Sequence, residues 1–256
     1  LSTGLQYHYG LSLSSYVSYL IIGVLTAIFT LAVYTGLQKG IKFIGDINMW
    51  VFVAVFLFIF IFGPTLFLVN LTTTSVGQYL ADFLPMSFYT APGVEGNWLG
   101  DWTIFYWAWW MSWAPFVALF IARISKGRTI RQTVAATLIL PTLADFLWYG
   151  VVGGAGIHYD VTQELSEHGL ESAVFATAQH LPLTGVLAVA LLFLIATFFL
   201  TSANSAALAL SMFVSGKENP GRNLRAFWGV VLGAVAAVLA GTGSLQIIQT
   251  ASIATA

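Results

Sequence analysis

The sequence predicts an all-α integral membrane protein, and its composition and apolar runs support that fold class. Of its 256 residues, 58% are hydrophobic and only 7% are charged, whereas about 25% of the residues of an average soluble domain are charged. Six apolar runs each approach or exceed the roughly 20 residues that a helix needs to cross a bilayer. These predicted spans are 17–37, 48–70, 101–122, 130–153, 183–214 and 226–250.

The distribution of charge supports this assignment and predicts an orientation. If the six spans alternate in direction, the connections 38–47, 123–129 and 215–225 lie on one side of the membrane. All nine Lys and Arg residues fall in these connections or at the edge of an adjoining span. The positive-inside rule therefore makes that side cytoplasmic. We expect such a multi-pass protein in the plasma membrane, the inner membrane of a bacterium. The net charge of −1 does not indicate nucleic-acid binding.

The segments between the spans carry signals of their own. Gly63 and Pro64 predict a kink near the outer end of the second span, because Pro removes a helical hydrogen bond. Residues 72–88 are too polar to span and have helical periodicity, which predicts an amphipathic helix along the outer interface. The external segment 154–182 is expected to hold short helices. Both chain ends look internal to a longer protein, and the absence of Cys excludes disulfides and thiolate metal sites.

The run "WTIFYWAWWMSW" at residues 102–113 contains five Trp, one Phe and one Tyr. At 100° per residue most of its rings fall on one helical stripe. The stripe continues to Phe116 and is about 21 Å long at 1.5 Å per residue. Three interpretations are open: an interfacial aromatic belt, packing between helices, or a cage for a quaternary ammonium group held by cation–π attraction. The stripe contains Trp102, Phe105, Tyr106, Trp109, Trp113 and Phe116, with Trp110 beside it.

The stretch "WTIFYWAWWMSWAPFVALFIARISKGRTIRQ" closely resembles the signature of the betaine/carnitine/choline transporter family. The resemblance extends through "GPTLFLVN", the "QYL…F" external helix, "TSANSAAL" and "QTASI", and so covers essentially the whole chain. It implies a twelve-span, inverted-repeat, LeuT-like transporter, of which this chain is about half, from the end of the fifth span through most of the eleventh. It also implies a homotrimer in the lipid bilayer.

The resemblance assigns expected roles to the aromatic residues. Trp109, Trp110 and Trp113 match the tryptophans that line the family's substrate path, and Trp110 matches a member of its central aromatic box. Phe105 resembles the aromatic residue that closes the outer side over bound substrate. The other residues of the box belong to an earlier span that this chain does not contain.

Hydroxyl side chains cluster in the long apolar span "FFLTSANSAALALSMF". They could serve helix packing, or they could supply hard oxygens to a cation beside loosened backbone carbonyls. The resemblance adds that Thr201 and Ser202 match positions that hold Na⁺ in sodium-coupled members, with the backbone carbonyl of Phe198 as a further ligand. Asn204 departs from the family pattern, which has Asp there.

Asp145 is the only acidic residue well inside a predicted span. An ionisable group at that depth costs several kcal/mol unless it is paired or protonated, so it is a candidate functional residue. It could relay a proton, balance the charge of a cationic substrate, or be a hydrogen-bonded structural residue. The resemblance assigns it no role.

These features predict a secondary transporter that imports a quaternary ammonium compound such as glycine betaine, choline or carnitine, with Na⁺ as the coupling ion and no organic cofactor. Alternatives are proton-coupled or exchange transport of the same substrates, and a non-transporting osmolyte receptor. An intramembrane enzyme with Asp145 and His158 as acid and base is a further rival. The sequence shows no nucleophile–base pair, paired carboxylates or metal cluster, and it is therefore not expected to be an enzyme.

Overall fold

The computed structural model describes residues 1–10, 15–35 and 38–241, apart from the side chains of residues 15, 38–42, 116, 120 and 123. The described residues form helices and no strand, which confirms the predicted all-α class. The α-helices are α1 (Ser2–Tyr9), α2 (Ser15–Thr35), α3 (Gln38–Phe62), α4 (Thr65–Ser87), α5 (Phe105–Ile124), α6 (Ile130–Trp148), α7 (Gly154–Tyr159), α8 (Thr162–His168), α9 (Ala173–Gln179), α10 (Thr184–Ser215) and α11 (Arg222–Gly241). Wider π-helical turns precede α5 at Leu99–Ile104 and follow α6 at Tyr149–Gly153, and a 3₁₀ turn occupies Leu170–Ser172.

Five helical stretches among the described residues are long and apolar enough to cross a membrane. They are Tyr16–Thr35, Phe43–Phe62, Ile130–Tyr159, Thr184–Ser215 and Arg222–Gly241. Each overlaps one of the six predicted spans. The remaining predicted span, 101–122, overlaps α5 and the π-helical turn before it, and its position across the membrane stays a prediction. The far end of the predicted span 226–250 lies outside the described residues.

The second predicted span, 48–70, differs from the observed helices at both ends. Residues 38–47 were expected to form a connection, but they belong to α3, which begins at Gln38. The polar residues of this segment show where the apolar sequence begins, but polar residues do not by themselves end a helix. At the other end the expected kink is a full break between Phe62 and Thr65, where Pro64 cannot donate a helical hydrogen bond. The Thr65 hydroxyl donates to the Phe60 carbonyl oxygen at 2.7 Å and satisfies one acceptor at the end of α3.

The helix expected at 72–88 begins earlier, at Thr65, and forms α4. It packs against the turn that follows α6 because that turn is rich in glycine. A Cβ at Gly150 would overlap the side chain of Thr72, and one at Gly154 would lie 3.1 Å from Leu68 and from Leu71. Glycine is therefore required for this close approach.

The chain divides into two compact units, and unit 1 comprises Leu1–Ile21, Leu37–Ala81 and Val134–Ser202. Its core is formed by apolar side chains of α3, α4, α7, α9 and α10, of the turn after α6 and of the connection between α9 and α10. The short helices α7, α8 and α9 confirm the expectation for residues 154–182. The most buried core residues include Ile59, Leu68, Val151, Ala155, Phe175, Leu181 and Leu191.

Unit 2 comprises Ile22–Gly36, Asp82–Thr133 and Ala203–Ala256. Within it, α11 packs closely on α2 through two glycines four residues apart. A Cβ at Gly229 would lie 2.8 Å from the hydroxyl of Thr30, and one at Gly233 would overlap the side chain of Thr26. Small residues at this spacing let helix backbones approach each other, as is common between membrane helices.

Candidate functional site

The aromatic run begins in the π-helical turn Leu99–Ile104 and continues along α5. Its outer rings form a contacting chain: Trp102 and Tyr106 are 6.2 Å apart between ring centroids, and Tyr106 and Trp109 are 5.8 Å apart. Phe105 contacts both Tyr106 at 5.3 Å and Trp109 at 5.6 Å. The structure therefore brings together two of the four predicted substrate-binding residues, Phe105 and Trp109.

The inner tryptophans of the run present large exposed surfaces. Within the described residues, Trp110 is 61% exposed, Trp109 is 47% exposed and Trp113 is 36% exposed. Pro115 lies inside α5 just after them. Because Pro has no N–H, the carbonyl of Met111 lacks its usual helical donor beside the tryptophans, although α5 continues through Pro115 to Ile124. The exposed rings can provide one wall of a cage, and the other walls would come from outside α5.

The hydroxyl cluster lies in the middle of α10, which is a continuous α-helix from Thr184 to Ser215. The Thr201 hydroxyl is 3.0 Å from the carbonyl oxygens of both Thr197 and Phe198 and donates to this pair. Two of the three predicted ion ligands, the Phe198 carbonyl and the Thr201 hydroxyl, are therefore adjacent, and Ser202 is the next residue along the same helix. The loosened backbone expected beside them is not observed at this point of α10.

Asp145 lies near the end of α6 and forms part of the wall of two cavities in unit 1. The larger cavity has a volume of about 810 Å³ and the smaller about 460 Å³. Asp145, Tyr149, Gly153 and Ile157 line both of them. These four residues are spaced four apart and form one ridge along the helix, so Asp145 stands between the two cavities.

Three aromatic rings that the sequence did not connect with Asp145 share the larger cavity with it. Phe52 of α3 stacks on Trp148 of α6, with ring centroids 4.7 Å apart and planes 21° apart. Phe198 of α10 meets Phe52 edge-on at 6.1 Å. The i, i+3 spacing of Asp145 and Trp148 places them on one helix face and was visible in the sequence. Phe52 and Phe198 come from distant segments, and no local pattern connects them to Asp145.

All four histidines, His8, His158, His168 and His180, contact aromatic rings. His180 stacks on Tyr159 with ring centroids 4.8 Å apart, and His168 meets Tyr7 edge-on at 5.1 Å. Burial raises the pKa of Tyr7, and the nearby charges of Glu164 and Glu167 raise it further. Over the described residues, no group of three or more His, Cys, Asp or Glu side chains could hold a metal ion.

Comparison with known proteins identifies the family. The family model described as "BCCT, betaine/carnitine/choline family transporter" matches residues 1–256, the whole chain. The chain belongs to the betaine/carnitine/choline transporter family. This family consists of transporters rather than enzymes, and with its apolar helices the chain is part of a multi-pass plasma-membrane protein.

Individual members of the betaine/carnitine/choline transporter family are similar over nearly the whole chain. The probable glycine betaine transporter of Desulfitobacterium hafniense is 42% identical over 100% of this chain and 53% of its own length. The glycine betaine transporter OpuD of Bacillus subtilis is 39% identical over 98% of this chain and 50% of its length. The ectoine/glycine betaine/proline transporter EctP of Corynebacterium glutamicum is 38% identical over 93% of this chain and 39% of its length. The chain thus spans about half the length of the first two relatives.

Proposed function

We propose that the full-length protein is a secondary transporter that imports glycine betaine or a related quaternary ammonium compound, with Na⁺ as the coupling ion. The observation that carries this proposal is the aromatic run of α5, with its contacting outer rings and its exposed Trp109 and Trp110. A quaternary ammonium group cannot donate a hydrogen bond, and aromatic faces attract it by cation–π interaction within about 6 Å of the ring centroid. The names of the Desulfitobacterium and Bacillus relatives support glycine betaine as the first candidate.

The four predicted aromatic residues have three roles in this proposal. Trp110 would form part of the cage around the methylated cation, and Trp109 and Trp113 would line the path to it. Phe105, which contacts Trp109, would close the cage on its outer side. Choline and carnitine carry the same trimethylammonium group and are further candidates. The Corynebacterium relative is named for ectoine and proline as well, so substrates with a charged ring nitrogen are tested beside them.

The coupling ion would bind at the hydroxyl cluster of α10. The adjacent Phe198 carbonyl and Thr201 hydroxyl supply hard oxygens without fixed charge, and Ser202 can add a third. The Thr201 hydroxyl donates its hydrogen to the carbonyls of α10 and keeps lone pairs that can face a Na⁺ ion. Coupling then requires that ion and substrate stabilise the same conformation. Partners would be the lipid bilayer and, in a homotrimer, two further copies of the protein.

Uptake by the full-length protein in reconstituted vesicles tests the proposal. Labelled glycine betaine, choline, carnitine, ectoine and proline are offered in turn, first with an inward Na⁺ gradient and then with K⁺ replacing Na⁺. The proposal expects uptake of a trimethylammonium compound that collapses without Na⁺. Uptake that survives in K⁺ but follows a proton gradient would favour proton coupling. Saturable binding without any uptake would favour the receptor alternative.

A further inference from the structure

The larger cavity of unit 1 has features that the proposed transport function does not use. Asp145 lies in its wall, and the chain contains no Lys or Arg between Arg131 and Lys217. Within the described part of unit 1, Asp145 forms no hydrogen bond or ion pair. A carboxylate inside a membrane-spanning helix costs several kcal/mol unless it is paired or protonated. No basic side chain between Arg131 and Lys217 can therefore neutralise this carboxylate.

The walls of the cavity show which kind of partner fits. The stacked rings of Phe52 and Trp148 and the edge-on ring of Phe198 line the same cavity as Asp145. Most of the remaining wall is aliphatic and includes Val152, Leu191, Leu194 and Ile195. The volume of about 810 Å³ falls within the roughly 300–1,000 Å³ that is usual for small-molecule sites. Carboxylate, aromatic faces and aliphatic wall together match a cation with a large apolar body.

A second acidic residue in the wall indicates where the positive centre would lie. Asp160 also lines the cavity, but its Oδ1 accepts a hydrogen bond from the Thr162 hydroxyl at 2.6 Å. It lies beyond the end of α7, in the external segment, whereas Asp145 lies within α6. The Thr162 hydroxyl stabilises the charge of Asp160, whereas no hydrogen-bond donor reaches Asp145 within the described part of unit 1. The attraction for a cation is therefore strongest at Asp145.

We propose that this cavity is a binding site for a lipophilic organic cation, with the positive centre beside Asp145 and the apolar groups against Phe52, Trp148 and Phe198. Cation–π attraction from the rings adds to the charge of the carboxylate, and burial of hydrocarbon against the aliphatic wall adds the hydrophobic term. A small hydrated cation would leave that wall unused, and an anion would be repelled by two carboxylates. All of these residues belong to unit 1, whereas the aromatic run of α5 belongs to unit 2.

The test uses the full-length protein in lipid nanodiscs and radiolabelled tetraphenylphosphonium, a cation with an apolar surface and no hydrogen-bond donor. Equilibrium dialysis against empty nanodiscs removes the contribution of the lipid. We expect saturable binding that weakens at least tenfold in Asp145→Asn and about threefold in Phe52→Leu, because one loses the charge and the other a ring. The matched control is Asp160→Asn, which removes an acid from the same wall and should change affinity less than twofold.

Several outcomes would overturn the proposal. Absence of saturable binding would mean that other spans of the full-length protein or lipid fill the cavity. Equal losses in Asp145→Asn and Asp160→Asn would show general electrostatic attraction rather than a site. If Asp145→Asn is not monodisperse, Phe52→Leu and Asp160→Asn decide the question, and unchanged binding in Phe52→Leu rejects the site.

Two further measurements separate this site from the transport site. Excess glycine betaine should leave tetraphenylphosphonium binding unchanged, and Trp110→Leu should leave it unchanged as well. Displacement by glycine betaine would place the probe in the transport path and reject a separate site. Failure of glycine betaine uptake with intact probe binding would reject the proposed function alone.

Discussion

The Thr197 hydroxyl of α10 lies 2.8 Å from Oδ1 of Asn48 in α3, and the two residues are 149 positions apart in the chain. Both are buried, with 6% of Thr197 and 3% of Asn48 exposed. The carbonyl oxygen of Phe193 is also 2.8 Å from the same hydroxyl. This polar contact joins α3 to α10, and it lies one helical turn before Thr201.

The first prediction concerns the stability that this contact provides. Thr197→Val keeps the shape of the side chain but leaves the buried Asn48 oxygen without this donor, which should cost about 1–3 kcal/mol. Thermal unfolding of the full-length protein in detergent measures the effect as a lower midpoint temperature. Thr142→Val is the matched control, because the Thr142 hydroxyl is exposed and donates only to the Leu138 carbonyl of its own helix. Equal shifts in the two variants would reject a role for the contact with Asn48.

The second prediction concerns Trp110. Trp110→Leu should weaken the binding of glycine betaine at least tenfold, because loss of a desolvated cation–π contact costs about 2 kcal/mol. Isothermal titration calorimetry on the full-length protein measures the affinity. Trp107→Leu is the control: Trp107 is 66% exposed and Trp110 is 61% exposed, but Trp107 lies off the aromatic stripe. Unchanged affinity in Trp110→Leu would remove that residue from the cage.

The third prediction concerns the ion ligands. The double variant Thr201→Ala with Ser202→Ala should raise the Na⁺ concentration that gives half-maximal uptake, because two hard oxygens are lost. Thr201→Ser keeps a hydroxyl at the first position and should restore much of the Na⁺ response. Ser215→Ala, which removes another back-bonded hydroxyl from α10, should leave the Na⁺ response unchanged. Ordinary sodium activation in the double variant would reject the ion site.

The fourth prediction concerns the contact between α11 and α2. Gly233→Ala should destabilise the full-length protein by about 1–3 kcal/mol, because the added methyl group overlaps Thr26 and forces the helices apart. Gly23→Ala is the matched control in a helix, since a Cβ there has no neighbour within 4 Å. Alanine favours a helix over glycine by up to about 1 kcal/mol, so this control should be neutral or slightly stabilising. Chemical denaturation that gives the same shift for both variants would contradict the prediction.

The fold class and the approximate position of most helices could be predicted because they depend on local sequence. A helix satisfies its backbone hydrogen bonds internally, so an apolar run long enough to cross the bilayer has one favoured structure there. A disturbance of the helix at Gly63 and Pro64 was predictable for the same reason, since Pro acts on its own helix, but the sequence predicted a kink where the structure has a full break. The start of α3 at Gln38 could not be predicted in this way, because a helix can extend into polar residues beyond the apolar run.

The candidate sites were predictable only in part. The aromatic run and the α10 hydroxyls each lie within one helix, so periodicity and family resemblance could assign Phe105, Trp110 and Thr201 as candidates. Their substrate and ion roles stay predictions. The surroundings of Asp145 could not be derived in this way, because Phe52 reaches that cavity from another helix.

The sequence by itself determined that this protein is a helical membrane protein of the betaine/carnitine/choline transporter family, and it determined which residues are candidates for binding. Hydrophobicity and helical period act over a few turns, and a family signature is a linear pattern. Only the tertiary structure decided that Asn48 meets Thr197, that Gly233 meets Thr26, and that Asp145 shares a cavity with Phe52 and Trp148. These contacts join segments far apart in the chain. They depend on how closely the helices approach one another, and that distance is determined by close packing of side chains and by small residues at the helix interfaces.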